Sequence, residues 1–377
     1  VFRLLFNFYV LSQGYDEALL GTLITTNSLT ALLAALPMGY LVDIIGRKIA
    51  LILGGLAITA AIFGMVLLPS TAMFVAMSVL IGLGNALTGV TMGPFLMENS
   101  SEKERTYLFS FAAGLQMAAG SVGNWVGGYL PTWMAALNGT TPTSPQSYAW
   151  SLGVIAAAGA AGVLPLLLMR MPKLERGERS LFAPLSYFKD HSALLGRLIL
   201  PMLIISVGAG LVMPFMNVFF RQVHGQPDQV IGTMFAWGSL AMGVGLLIAP
   251  PLADKFGKIQ VVVVTQALSI PFLAVLGFSP WFAFSAGAYF IRLALMNMSG
   301  PVYSTYIMER VEPSARGTVA SLANMSNSVG WAFSPTISGW LQVSYGFQPV
   351  FAVTLVLYVI SIYLYWRFFW RGGLARV

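Results

Sequence analysis

The chain has 377 residues, of which 57% are hydrophobic and only 9% are charged. Soluble proteins carry roughly 25% charged residues, so this composition excludes an ordinary soluble domain. The absence of cysteine excludes disulfides and thiolate metal sites, and the net charge of +7 is better explained by loop lysines and arginines than by nucleic-acid binding.

Long runs without charged residues predict membrane-spanning helices along the whole chain. The runs without Asp, Glu, Lys or Arg are 19–42, 49–97, 106–169, 198–220, 229–253, 259–291 and 317–366. About 20 apolar residues span a bilayer as a helix, so the longer runs hold two spans each. Turn residues divide them at Pro69-Ser70, 131–147, Ser279-Pro280 and Tyr345-Gly346. With the stretch 293–308, the pattern predicts eleven complete helices and a partial one at residues 1–12.

The lysines and arginines predict the orientation of these helices. If the loops alternate sides, 17 of the 20 basic residues fall on one side. Positive residues mark the cytoplasmic side, so both termini are predicted to be cytoplasmic. The predicted location is a multi-pass position in a membrane, the inner membrane if the source is bacterial.

The two halves of the sequence repeat each other at a constant offset of 211 residues. Because this offset covers six helices, an even number, both halves run in the same direction through the membrane. The prediction is a six-helix bundle at 1–169, a cytoplasmic linker at 170–196 and a second six-helix bundle at 197–377. The same offset places the start of the first helix about 14 residues before Val1, so that helix is expected to be truncated in this chain. Paired residues include Gly46 with Gly257, Asp43 with Asp254, Glu98 with Glu309, Arg105 with Arg316 and Gly128 with Gly339.

A glycine-containing, charged loop follows the second predicted helix, with the sequence Gly39-Tyr40-Leu41-Val42-Asp43-Ile44-Ile45-Gly46-Arg47-Lys48. A degenerate copy, 252–258, follows at the repeated position. Glycine permits a tight turn, and a carboxylate can accept hydrogen bonds from the free N–H groups at a helix N-terminus. The loop resembles the GxLxDxxGRK signature of the major facilitator superfamily and lies where that family has it.

This resemblance implies an all-α integral membrane protein with the MFS fold, two six-helix bundles related by a parallel pseudo-two-fold repeat. It implies a cytoplasmic latch in which Asp43 meets the helix near Gly317 and Arg47 pairs with Glu98. The alternative is that these are surface charges that only orient the chain, because exposed ion pairs contribute little. The predicted gating residues are Asp43, Gly46, Arg47, Glu98, Arg105, Asp254, Gly257, Glu309 and Arg316.

The few polar side chains inside the predicted spans are the candidates for cargo binding. Arg292 lies near the middle of its span, where a charge costs at least about 2.5–3.5 kcal/mol, so it requires water, a partner or a ligand. Alternatively, Arg292 binds backbone carbonyls, and the Asn and Gln side chains within the spans only form hydrogen bonds between helices. In the family, the helices that carry these residues line or flank a central cavity. The predicted binding residues are Arg3, Asn7, Asn27, Gln116, Asn124, Tyr289, Arg292, Tyr303, Asn324, Asn327 and Trp331.

The remaining pattern predicts a transporter without enzymatic chemistry. All 13 acidic residues fall in loops or at helix ends, and no nucleotide loop, metal cluster or nucleophile arrangement is present, so neither a cofactor nor a catalytic activity is predicted. A cationic, aromatic-walled cavity favours export of a small organic anion or amphipathic compound by alternating access. The alternatives are a facilitator or exchanger of small metabolites and, from another class, a transporter-like sensor or scaffold. The predicted partners are the substrate and the lipid bilayer, with no nucleic acid, and the predicted state is a monomer.

Overall fold

A computed structural model describes residues 1–169, 192–311 and 316–371, and within these ranges the regular structure is entirely helical. The helices of the first half are α1 (Phe2–Ser12), α2 (Glu17–Ile45), α3 (Arg47–Leu67), α4 (Thr71–Glu98), α5 (Glu102–Asn138) and α6 (Pro145–Leu168). Those of the second half are α7 (Ser192–Val212), α8 (Met216–Gln222), α9 (Asp228–Phe256), α10 (Lys258–Phe278), α11 (Phe282–Arg310), α12 (Arg316–Tyr345) and α13 (Phe347–Tyr365). A π-helical turn, Trp366–Arg371, extends α13.

The helices form two compact units. The first unit comprises Val1–Glu178 together with Pro227–Thr233, and the second comprises Arg179–Gln226 together with Met234–Val377. Most of the predicted linker, residues 170–191, lies outside the described residues. The short α1 and the twelve spans found in the described residues agree with the sequence prediction, since α7 and α8 form one span interrupted by a 3-10 turn at Met213–Phe215. That turn contains Pro214, which lacks a backbone N–H and so cannot continue the α-helical hydrogen bonds.

Two glycines give the repeated loops the same backbone conformation. Gly46 ends α2 with φ 87° and ψ 154°, and Gly257 ends α9 with φ 93° and ψ 145°. Side-chain-bearing residues rarely adopt such positive φ values, which explains glycine at both positions. In each loop the glycine N–H donates to the carbonyl four residues earlier, Val42 or Ala253, at 2.9 Å. The 211-residue repeat is therefore visible in the backbone.

Close helix crossings in each unit are also made possible by glycine. In the first unit, a Cβ on Gly82 of α4 would lie 2.6 Å from the Asn27 carbonyl oxygen of α2. In the second unit, a Cβ on Gly245 of α9 would lie 2.6 Å from the Ala294 carbonyl oxygen of α11. Small residues allow backbones of membrane helices to approach closely, and here the two units place the glycine on opposite members of the equivalent helix pair.

Two helix boundaries differ from the sequence prediction. Helix α7 begins at Ser192, five residues inside the predicted linker. Helix α5 continues through Pro131 to Asn138, so much of the predicted loop 131–147 is helical. Membrane helices tolerate proline where neighbouring groups satisfy the freed carbonyl, and α5 ends instead at Gly139, whose φ of 65° is left-handed.

Eight helices in the described part of the chain are long and apolar enough to cross a membrane. The long helices α5, α11 and α12 are not among them. Their sequences interleave Asn, Gln, Ser and Gly with apolar residues, and α5 and α12 carry the polar candidates Gln116, Asn324 and Asn327. Polar residues in membrane proteins face the protein interior or a water-filled cavity rather than lipid.

Candidate functional site

The first unit contains a cavity of about 550 Å³ between α1, α2, α3, α4 and α6. Its walls are largely apolar, with side chains such as Phe6 and Ile58. Two predicted binding residues, Arg3 and Asn27, line it. The Asn85 side-chain amide donates to the Asn27 side-chain oxygen at 3.3 Å, so an amide pair joins α2 and α4 in this wall. The other polar residues in the lining are Thr59 and Ser78.

In the second unit, the equivalent position holds a buried arginine. The repeat pairs Ile81 of the cavity wall with Arg292, which is only 2% exposed. Its Nη2 donates to the Tyr358 hydroxyl at 3.0 Å, and its Nη1 lies 3.7 Å from the Met213 sulfur. Its Nε has no hydrogen-bond partner among the described residues. Arg292 therefore lies within the second unit, between the 3-10 turn that follows α7, helix α11 and helix α13.

Tyr289 lies one turn before Arg292 on α11, and the repeat pairs it with Ser78. A Cβ on Gly238 would lie 3.1 Å from the Tyr289 ring, so the ring covers the Gly238 backbone. Asn27 stands at the position that the repeat pairs with Gly238. In the second unit the large side chain, Tyr289, is on α11 and α9 has only Gly238, whereas in the first unit α4 has the small Ser78 and α2 has Asn27.

Tyr303 is on the same helix as Arg292 but lies apart from it, in an aromatic cluster formed by α11 and α13. Its hydroxyl donates to the Leu198 carbonyl at 2.8 Å, and its ring centroid lies 4.7 Å from that of Tyr365 and 6.0 Å from that of Tyr306. Tyr289, Arg292 and Tyr303, three predicted binding residues of α11, thus lie in two different environments.

The remaining predicted binding residues differ in exposure. Gln116, Asn324 and Asn327 are exposed, Asn124 and Trp331 are half-buried, and Asn7 is fully buried. The exposed amides belong to α5 and α12, the more polar long helices. Each lies on the outside of its own unit, where the side chain is accessible to a ligand or to water.

The charged loop of the first unit includes buried and exposed members. Asp43 is exposed at the end of α2, whereas Arg47 is buried at the start of α3. The Lys48 ammonium donates to the carbonyls of Leu167 and Met169 at 2.8 and 2.7 Å. A cation at these positions satisfies carbonyls that the end of α6 leaves without helical partners.

The second unit has an ion pair at the equivalent loop. Lys258 pairs with Glu309, and the repeat matches these residues to Arg47 and Glu98. Asp254 is exposed at the end of α9. The predicted partners on the remaining side, namely the side chains of Glu98, Arg105 and Arg316 and the segment near Gly317, lie outside the described residues.

The family profile of the Major Facilitator Superfamily matches the chain twice, over residues 2–227 and 198–373. The chain belongs to the Major Facilitator Superfamily. It is therefore an integral, multi-pass membrane protein with the fold of that superfamily, whose transporters bind small-molecule substrates within the membrane. The double match agrees with the repeated helices, loops and glycine conformations.

Relatives with similar sequences include multidrug resistance proteins named MdtG. The protein from Dickeya zeae is 28% identical over 172 residues, and that from Yersinia enterocolitica is 26% identical over 171 residues. Each match covers 44% of this chain and 41% of the relative, so the chain matches about two-fifths of these relatives' length.

Solved superfamily structures share the fold over nearly the full chain. A bacterial homologue of the human lysosomal transporter Spinster, inward-facing and unoccupied, has a TM-score of 0.78 and 15% identity, with 100% of this chain and 97% of that chain covered. A variant of the nucleoside transporter NupG has a TM-score of 0.81 and 14% identity, covering 98% and 95%. At these identities the likeness shows the superfamily fold alone.

Several polar residues of this superfamily member were not predicted from the sequence. Asn85, Thr59 and Ser78 line the cavity. The only clue to them in the sequence is that they are polar residues inside runs predicted to span the membrane. The Tyr148 hydroxyl donates to the Asp228 carboxylate at 2.6 Å, and both residues belong to the first unit. Asp228 was assigned only to a helix end, although it is 6% exposed. The sequence shows that Asp228 lies at a helix end, but it does not show which residues pack around its carboxylate.

Proposed function

We propose that this protein is a secondary transporter that works by alternating access and exports a small organic anion or amphipathic compound. The observation that carries the proposal is the 550 Å³ cavity of the first unit. Its apolar walls suit the hydrophobic part of an amphipath, and the Asn27–Asn85 pair and Arg3 supply polar contacts. The multidrug resistance relatives support the same cargo class.

The exposed amides extend the proposed binding surface. Gln116, Asn324 and Asn327 lie on helices that carry too many polar residues to face lipid around their whole circumference. In the proposed transport cycle these side chains face water and contact the cargo as it passes. Asn7, Asn124, Tyr289, Tyr303 and Trp331 remain candidates that support this surface from within.

Arg292 has two proposed roles that a substitution to methionine separates. In one, it attracts anionic cargo; in the other, it stabilises the second unit through Tyr358. Arg292→Met removes the charge and the hydrogen bond to Tyr358 but keeps a long, unbranched side chain, so it loses less packing than Arg292→Ala. Selective loss of anionic cargo supports the first role, whereas equal loss of anionic and neutral cargo supports the second.

We further propose that the two charged loops gate the pathway at the cytoplasmic face, with Asp43, Gly46, Arg47, Glu98 and Arg105 from the first half. Their counterparts are Asp254, Gly257, Glu309 and Arg316. The protein is proposed to be a monomer in the inner membrane of a bacterium, with both termini cytoplasmic. Asp43→Asn is expected to impair transport while membrane insertion remains normal; unchanged transport kinetics would remove Asp43 from the gate.

The decisive experiment measures export of fluorescent amphipathic anions and of neutral analogues from proteoliposomes. Asn27→Ala and Asn85→Ala are expected to raise KM for the cargo by about fivefold each, because each removes a hydrogen-bonding group worth about 1 kcal/mol. Gly89→Ala is the matched control on α4, since a Cβ there meets nothing within 4 Å. An unchanged KM in both asparagine variants would exclude the cavity as the cargo site. Purely downhill movement would favour a facilitator instead.

A further inference from the structure

A groove runs along the second unit between α10 and α13. It has a volume of about 480 Å³. Six of its residues are aliphatic, alanine or proline, and the other two are aromatic; the full set is Val263, Ala267, Ile270, Pro271, Val359, Ile362, Tyr363 and Trp366. On each helix these residues are spaced three and four apart, so they form one continuous apolar face.

The groove leads to two exposed arginines. The α13 face through Val359 and Tyr363 continues one turn further to Arg367 and a second turn to Arg371, and both arginines are exposed. The Arg371 guanidinium carbon lies 5.6 Å from the centroid of the Trp366 ring, which itself lines the groove. No Asp or Glu follows Glu312 in the sequence, so α12, α13 and the π-helical turn supply no carboxylate to these arginines.

Aromatic packing on the opposite face fixes this orientation. Tyr365 and Phe369 are 2% and 3% exposed. The Tyr365 ring lies 4.7 Å from that of Tyr303, and the Phe369 ring lies 5.6 Å from that of Tyr306. Arg367 lies two residues from each of these buried rings, so its spacing directs it away from the contact with α11 and towards the groove side of the helix.

We propose that this groove binds an anionic phospholipid, with an acyl chain between α10 and α13 and the phosphate at Arg367 and Arg371. Both helices are long and apolar enough to cross a membrane. The groove residues Val359 and Tyr363 are 53% and 51% exposed, which suits contact with lipid hydrocarbon. Trp and Tyr favour the boundary between hydrocarbon and headgroups. Tyr363 and Trp366 come just before Arg367 along the helix, which is the order expected if the arginines lie at the headgroups. Basic residues next to membrane helices attract anionic lipid headgroups.

The test is lipid retention by the purified full chain, measured by native mass spectrometry. The protein is incubated in detergent with equal amounts of phosphatidylglycerol and phosphatidylcholine of identical acyl chains. Each arginine is expected to contribute about fivefold, so phosphatidylglycerol should be preferred roughly 25-fold. R367Q/R371Q should abolish the preference, R367K/R371K should keep most of it, and Arg221→Gln, a basic-residue control elsewhere in the unit, should leave it unchanged.

A groove-filling variant separates the acyl chain from the headgroup. Ala267→Trp should lower retention of both lipids, whereas Val244→Trp, at another exposed apolar position of the second unit, should not. Equal retention of the two lipids by the unmodified protein would overturn the proposal. So would an unchanged preference in R367Q/R371Q, or displacement of phosphatidylglycerol by soluble glycerol phosphate at equal concentration. Thermal unfolding and gel filtration of each variant identify those that fold.

Discussion

The two repeated units use the same helical plan but fill their interiors differently. Where the first unit has Ser78 and Ile81 beside a cavity, the second has Tyr289 and Arg292, both buried. Where the first unit has Asn27 in the cavity wall, the second has Gly238 beneath the Tyr289 ring. The backbone positions of the repeat are therefore preserved while side-chain volume is not. At this repeated position, therefore, the first unit has an open cavity whereas the second unit is filled by side chains.

The largest expected effect concerns the glycine crossings, which test whether the two units share one packing plan. Gly82→Ala and Gly245→Ala should each lower the free energy of unfolding by about 2–3 kcal/mol, because the new Cβ meets a backbone carbonyl. Gly89→Ala and Gly287→Ala, where a Cβ meets nothing within 4 Å, should instead stabilise by about 0.5–1 kcal/mol. Unfolding in mixed detergent measures both. If all four variants behave alike, the crossings do not depend on glycine.

The next effect concerns the loop glycines, which test whether the repeat extends to backbone energetics. Gly46→Ala and Gly257→Ala should each destabilise by about 1–2 kcal/mol, because alanine is strained at positive φ. The cost at Gly257 should be the larger one, since its Cβ also meets the Gln260 side chain whereas that of Gly46 meets nothing within 4 Å. Thermal unfolding of the two variants compares the costs, and a difference of several kcal/mol would break the equivalence of the loops.

A smaller effect is expected for the loop ion pair of the second unit. Glu309→Gln removes the partner of Lys258, and the two side chains are 56% and 28% exposed. Solvent screens such a pair, so the loss of stability should be about 0.2–1 kcal/mol. A double-mutant cycle with Lys258→Met measures the coupling. A coupling well above 1 kcal/mol would mean that the pair is buried in the conformation that predominates in the membrane.

The smallest effect concerns a difference between the loops that follow α1 and α8. Both contain a glycine at positive φ, Gly14 and Gly225, but the preceding residue is Gln13 in the first and His224 in the second. His224 packs against Phe219 and Phe282, with ring centroids 5.3 and 6.0 Å away. Burial lowers the pKa of this imidazole below its usual value of 6.5.

A lowered histidine pKa means that the unfolded chain binds the proton more readily than the folded chain. The neutral imidazole therefore contributes its full stability above pH 6.5, and this contribution is lost as the pH falls from 6.5 towards the folded-state pKa. His224→Gln, which copies the first loop, should reduce the fall in Tm between pH 7 and pH 5. A pH profile identical to that of the unmodified protein would show that His224 does not titrate in this way.

Composition and repetition were sufficient to predict the helical plan of this protein. Uncharged runs and turn residues fixed the helix count, and the repeat identified Gly46 and Gly257 as equivalent before their backbone angles were known. Boundaries were less predictable, because the continuation of α5 through Pro131 depends on tertiary partners that no local pattern reveals. The predicted site met the cavity only at Arg3 and Asn27, since a sequence shows which side chains are polar but not which helix faces enclose space.

Lys48 belongs to the charged loop, but its hydrogen bonds also connect two helices. By binding the carbonyls of Leu167 and Met169, its ammonium joins the start of the third helix to the end of the sixth, 119 and 121 residues away. The chain that continues beyond Met169 therefore leaves from an anchored point. Any pull transmitted along that continuation therefore acts on α3 as well as on α6 through the Lys48 hydrogen bonds.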